Sequence, residues 1–251
     1  MRIFAGGYGI QGFLMVPLLD ALSDLEVKYE MVVNGLGGFY ALVWEKFGRE
    51  HALERLKRLV VMLWEDLRLN DRVWICEEGR KRWYKSLAVK HCYRWAVEES
   101  TRKWEEFRSF LDGIEGETRI GVEYFDLKEA NVGVYRGDSR TAAMMSMALL
   151  GIFPPVEGRY LSTTYLTQIP VLSASQGDAV LDNLRDPSKC DIRKGDEVLA
   201  QSAELRAIVL ARKVMEKRGL RRLIAGPITW SDLKNLDAYK TSILKQLEEI
   251  V

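Results

Sequence analysis

Met31-Val32-Val33-Asn34-Gly35-Leu36-Gly37-Gly38-Phe39 is the stretch whose reading decides the fold. An apolar run of strand type ends in a glycine-rich turn. The turn opens a segment in which Tyr40, Leu42, Val43 and Phe47 recur at helical spacing. Strand, sharp turn and helix make the layout of a nucleophile elbow, which lifts one side chain above a sheet edge. In the G-x-S-x-G form of that corner the lifted residue is serine; here the middle position falls on Leu36. A leucine has no lone pair and no acidic proton, so it has no route to a covalent intermediate.

Upstream, residues 2–5 read as a short strand leading into Gly6-Gly7-Tyr8-Gly9-Ile10-Gln11-Gly12, after which Phe13, Leu14, Val16, Leu18, Leu19 and Leu22 follow helical spacing. A loop of this kind aims several backbone N–H groups at one point, and the helix N-terminus adds partial positive charge. Gly7, Tyr8 and Gly9 are therefore candidate ligand-binding positions, as an anion cradle; simple close packing is the other reading. A dinucleotide fingerprint fits poorly, because the spacing is irregular and no acidic residue ends the second strand. With residues 28–33 as that second strand, the chain opens β-α-β-α, with parallel connections. The glycine loop and the corner, including Gly35 and Gly37, then share the carboxyl edge of the sheet, where open α/β folds bind ligands.

From about 45 to 112 the sequence predicts nearly continuous helix, broken near Asn70-Asp71 and Gly79, as a cap over that edge. Arg80, Lys81, Arg82, Lys85, Lys90 and Arg94 interleave there with Trp83, Tyr84, Tyr93 and Trp95, with no acidic residue between 79 and 97. This pattern suits peripheral contact with an anionic lipid surface; core aromatics with a solvated basic face are the alternative. Residues 117–125 and 131–135 read as strands, and Asp138 as the cap of a helix over 141–150. Met144, Met145 and Met147 read as interface filling rather than a cofactor site. Residues 179–181 and 223–225 read as late strands, and about 196–218 and 235–250 as long helices.

Composition narrows the function. The chain has 251 residues, 47% hydrophobic and 29% charged, with 37 basic and 36 acidic side chains. Such a balance supports one globular domain with a substantial core, and no field that calls for nucleic acid. Cys76, Cys92 and Cys190 lack close spacing and fit reduced thiols of a cytoplasmic protein. His51 and His91 are the only histidines, which excludes a His-rich metal site. Neither a signal peptide nor a membrane-spanning run is expected, and no cofactor.

A more specific likeness emerges at residues 151–171, GIFPPVEGRYLSTTYLTQIPV. The F-P-P-V, a short gap, G-R-Y and a downstream I-P-V resemble the second motif region of patatin-like phospholipases. In that family the segment reads approximately F-P-P-V, Y-x-D-G-G/A and x-P-V. Its aspartate partners the elbow serine in a Ser–Asp dyad. Counting back from Pro170, the aspartate position falls on Ser162. Gly7-Tyr8-Gly9-Ile10-Gln11-Gly12 resembles the oxyanion loop G-G-G-x-R/K-G, with Tyr8 for a glycine and Gln11 for the basic residue. Asn34-Gly35-Leu36-Gly37-Gly38 resembles G-x-S-x-G, with Asn34 for the first glycine and Leu36 for serine.

The resemblance implies a three-layer α/β/α domain over 1–251, with a central, mainly parallel sheet and a helical cap insertion. It also implies a lost dyad, because Leu36 cannot attack and Ser162 cannot serve as a carboxylate base. Leu36 is expected in ordinary backbone geometry with its side chain buried, since a leucine with positive φ would cost on the order of 1 kcal/mol. The expected function is a catalytically inactive protein that binds a lipid or acyl ligand, or a protein partner, in the remnant crevice, by itself or within an oligomer. The alternative is a lipid acyl hydrolase with a displaced nucleophile, for which Ser162, Thr163, Thr164, Ser173 and Ser175 are the candidates.

Overall fold

The computed structural model describes residues 1–7, 9–67, 104–149, 153–186 and 197–250. Tyr8, most of the expected cap and the whole basic stretch from Arg80 to Arg94 lie outside them.

Four strands pair in parallel around the first. Strand β1 (Arg2–Gly7) lies between β2 (Glu30–Asn34) and β6 (Ala179–Asp182), and β7 (Arg221–Ile224) adds to β6. On the far side of β2 comes β3 (Gly121–Asp126), parallel to it, and then β4 (Asn131–Tyr135), antiparallel to β3. The order is β4-β3-β2-β1-β6-β7 in a seven-stranded, mostly parallel sheet. The seventh strand, β5 (Tyr160–Ser162), was not anticipated. It pairs antiparallel with β3 through Tyr124, Phe125 and Asp126, beyond the residues where β3 holds β2. The chain steps from β1 to one side and later returns to the other, so the carboxyl ends of β1 and β6 form a topological switch point.

Helices cover both faces. On one side are α1 (Met15–Asp24), α2 (Gly35–Phe47), α3 (Arg49–Leu67), the helical turn α4 (104–109) and α5 (Ser139–Met147). The short α6 (Thr164–Thr167) and α7 (Glu197–Arg218) pack against each other, and α8 (Leu236–Glu248) lies on α1. Alternation along the strands divides the core between the faces. Ile3, Ala5, Met31 and Val33 join the larger cluster with α1 and α2, while Phe4, Val32 and Val180 join Ile208, Ala211 and Met215 of α7. Every residue of α2 from Gly35 to Val43 is buried, so this helix runs through the larger core rather than over it.

The expected unbroken helix after residue 45 is interrupted earlier than predicted. Gly48, with φ +79°, closes α2, and its N–H donates to the carbonyl of Trp44. A glycine can take that backbone conformation without steric penalty, so it ends the helix where the apolar periodicity alone did not show a break. Asp138 caps α5 as expected, accepting from the Thr141 N–H at 2.8 Å.

Candidate functional site

The two glycine-rich turns meet at the carboxyl edge. Gly6 is in register with Asn34, and Gly7 bridges Gly35. Asn34 is extended, with φ −152° and ψ 170°, and α2 starts on the next residue. The chain reverses there because Gly35 has φ +61°. Leu36 is not among the residues with positive φ, and its side chain is 2% exposed. The backbone corner therefore stands at Gly35, one residue before the expected Leu36. A leucine at positive φ would meet its own carbonyl, whereas glycine does not, so the chain bends where the strain is smallest. The Leu36 side chain turns into the larger core against Gly12.

The space over this corner is filled. A Cβ on Gly35 would stand 2.6 Å from the Gly7 carbonyl oxygen and 2.8 Å from Thr164 Oγ1. The Gly35 carbonyl accepts from Ser146 Oγ of α5 at 2.5 Å. A Cβ on Gly38 would collide with the same Ser146 hydroxyl. Gly37 packs on the Gly6 backbone, with 3.2 Å between its Cβ position and Gly6 Cα, and Pro170 lies over Gly6. Four backbone segments thus approach one another closely at a point where each contributes a glycine or a small hydroxyl residue.

Ser162, the expected aspartate position, does lie beside the corner. It is buried at the end of β5, its Oγ 2.9 Å from Thr164 Oγ1. Thr163 accepts from Asn34 Nδ2 at 3.1 Å and donates to the Glu123 carbonyl at 3.3 Å. These bonds join hydroxyl, amide and carbonyl groups, and the Thr163 hydroxyl also reaches the buried Glu123 carboxyl. Gly7, Gly35, Gly37, Leu36 and Ser162 are brought together. Gly9, with φ +55° and nothing within 4 Å of its Cβ position, is not part of the crowded corner. Gln11, read as the replacement for a basic residue, faces away. Its side-chain amide exchanges two hydrogen bonds of 3.0 Å with the backbone of Ile228, pinning the loop after β7.

Two residues that sequence reasoning passed over complete the arrangement. Asn183, just after β6, donates to the Gly6 carbonyl at 2.8 Å across the switch point. Glu123 is fully buried on β3, and its Oε2 accepts from both the N–H and Oγ of Ser173, each at 2.6 Å. Burial pushes the Glu123 carboxyl above its ordinary range, partly offset by Ser173, Thr163 and the nearby Arg218. Arg218 in turn donates to the carbonyls of Val171, Leu172 and Ala174. The 171–174 loop is thus held from the sheet by Glu123 and from α7 by Arg218. The alternation of β3 set Glu123 on the polar side of the strand, so the sequence carried no signal for its burial.

The described histidine, His51, lies exposed on α3 against Phe47. Among the described residues no group of histidine, cysteine and carboxylate side chains could hold a metal ion. No described helix is long and apolar enough to cross a membrane. No protein-family model matches the sequence, and no curated protein matches it.

Proposed function

We propose that this protein has a patatin-like fold without its catalysis and acts by binding a lipid or acyl ligand or a protein partner. The observation that carries the reading is the corner itself. In the patatin-like motif the serine occupies the strained, positive-φ position, and here that position belongs to Gly35. With Gly35 as the apex, the motif G-x-S-x-G falls on Val33-Asn34-Gly35-Leu36-Gly37 rather than one residue later. The residue offered to a substrate is then a bare Cα. The sheet order, the switch point and the position of Ser162 support the same reading. An acyl transfer from the apex residue lacks an attacking oxygen, because Gly35 has no side chain, and the dyad aspartate position holds Ser162 in place of a carboxylate base.

The test is turnover of a short-chain p-nitrophenyl ester by the full chain, compared with a Gly35→Ala variant. The expected rate is that of buffer for both. A rate for the wild-type protein well above buffer, abolished at the corner by Gly35→Ala in folded protein, would overturn the reading.

One observation favours the displaced-nucleophile alternative. Ser173 Oγ donates to Glu123 Oε2 at 2.6 Å, a serine hydroxyl placed on a buried carboxylate. The same oxygen also takes the Ser173 N–H, the pattern of a carboxylate that fixes a loop. Esterase activity lost in Ser173→Ala would favour hydrolysis at this pair.

A further inference from the structure

On another face of α5, at Thr141 and Met145, the structure opens. A hollow of about 260 Å³ is lined by Tyr124, Tyr135, Thr141, Met145, Val156, Glu157 and Tyr160. We propose that it binds a small organic cation carrying a substituted ammonium group. The inference goes beyond the reading of the corner and does not rest on it.

Three features of the lining point to a cation. The first is the concentration of phenol rings, whose faces carry negative quadrupolar potential, together with the soft thioether of Met145. Tyr124 and Tyr160 meet edge to face, 5.2 Å between centroids at 81°. Tyr160 already carries one cation, the Arg159 guanidinium 5.1 Å from its centroid.

The second is charge. Glu157 is the one formally charged residue in the lining, it is exposed, and no cation pairs with it among the described residues. Arg159 does not offset it, because Asp126 holds that guanidinium through bonds of 2.7 and 2.5 Å and Glu129 lies 3.5 Å away. Asp126 and Glu129 thus occupy the Arg159 guanidinium, and Glu157 remains the formal charge of the lining.

The third is the backbone. Glu157 has φ +54° and precedes Gly158 at φ +65°, in a turn closed by a bridge between Val156 and Tyr160. Positive φ at both positions is the geometry of a tight hairpin turn, and the bridge fixes the backbone from which the Glu157 side chain projects. The turn keeps the Glu157 carboxylate at the rim. Thr141 is not available as an additional ligand-directed donor, because its hydroxyl donates to Asp138.

An aliphatic alcohol of the same shape would gain the contacts but not the electrostatic attraction, so the proposal predicts discrimination by charge. The test is calorimetric titration of the full chain with choline and with its neutral isostere 3,3-dimethylbutan-1-ol. Saturable choline binding with the alcohol at least about tenfold weaker is the expected result. Glu157→Gln, an exposed change that leaves the fold alone, should weaken choline about threefold and reduce the dependence on salt. Tyr160→Leu, which keeps bulk but removes the quadrupole, should weaken it about tenfold. Equal binding of choline and the alcohol, or no saturation by choline up to about 10 mM, would overturn the proposal. Phosphatidylcholine vesicles supply the second arm. Retention that free choline competes away assigns the ammonium to a lipid headgroup, whereas choline binding without vesicle retention assigns it to a free cation.

Discussion

Two faces of α5 are built in opposite ways. At the Ser146 side, Gly6, Gly7, Gly35, Gly37 and Gly38 bring backbone against backbone until no side chain fits. At the Met145 side, three tyrosines and a glutamate hold a space open. A catalytic corner of this type needs room above its apex for a nucleophile and a substrate. The space over Gly35 is filled by Thr164, Gly7 and Ser146. The difference teaches that one helix can border both a crest packed backbone against backbone and a hollow held open by side chains. Substitutions at the corner should therefore fail through packing, and substitutions at the hollow should leave the fold nearly untouched.

The largest effect is expected at Leu36. Deleting its buried side chain in Leu36→Ala should cost about 3 kcal/mol in urea unfolding, since a cavity opens against Gly12. Leu36→Ser should unfold as readily and show no esterase activity, because the corner lies one residue earlier. A stable Leu36→Ser protein that hydrolyses an ester would break the comparison.

Gly35→Ala comes next. The new Cβ meets the Gly7 carbonyl and Thr164 Oγ1 at φ +61°, which should cost about 2–3 kcal/mol. Combining it with Thr164→Gly should recover part of that loss, and strict additivity in the double-mutant cycle would argue that the corner is not crowded by Thr164.

A smaller, pH-dependent effect is expected at Glu123. Its folded carboxyl is raised by burial, so the native state holds the proton more tightly than the unfolded chain does. The contribution is full below the ordinary glutamate range of about 4.3 and is lost as pH rises to the raised value. The stability of Glu123→Gln relative to wild type should accordingly improve as pH rises through that window, measured by urea midpoints. A difference that does not vary with pH would remove Glu123 as the cause. Asp126 behaves in the opposite sense. Arg159 holds its carboxyl down to about 2, so its contribution is present above the ordinary aspartate range and fades only as pH falls toward that value.

The smallest effect is expected at the hollow. Tyr135→Phe removes a hydroxyl that accepts from the exposed Asp138 N–H at 3.1 Å, and should cost no more than about 0.5–1 kcal/mol. A loss as large as that at Leu36 would show that the hollow, too, is a packing element.

Most of the sheet was legible in the chain. Strand β4 was read over its observed residues, and the starts of β1, β6, α7 and α8 within about two residues, because alternation and helical periodicity are local signals. The juxtaposition of the two glycine turns followed from β-α-β connectivity. What was not legible depends on partners distant in sequence. Strand β5 has three residues and forms only because β3 extends past β2. The register of the corner slipped by one, since a motif count treats Leu36 as the middle residue while backbone sterics select Gly35. Asn183 and Glu123 act through Gly6 and Ser173, contacts that no local pattern encodes.

The central claim is that the apex of this corner carries no nucleophile. Intact-mass spectrometry of the full wild-type chain after prolonged exposure to a fluorophosphonate tests it most directly. The account predicts an unchanged mass, at the same probe excess that fully labels a serine esterase. A stoichiometric adduct mapped to Ser146, Ser162 or Thr164 would contradict it.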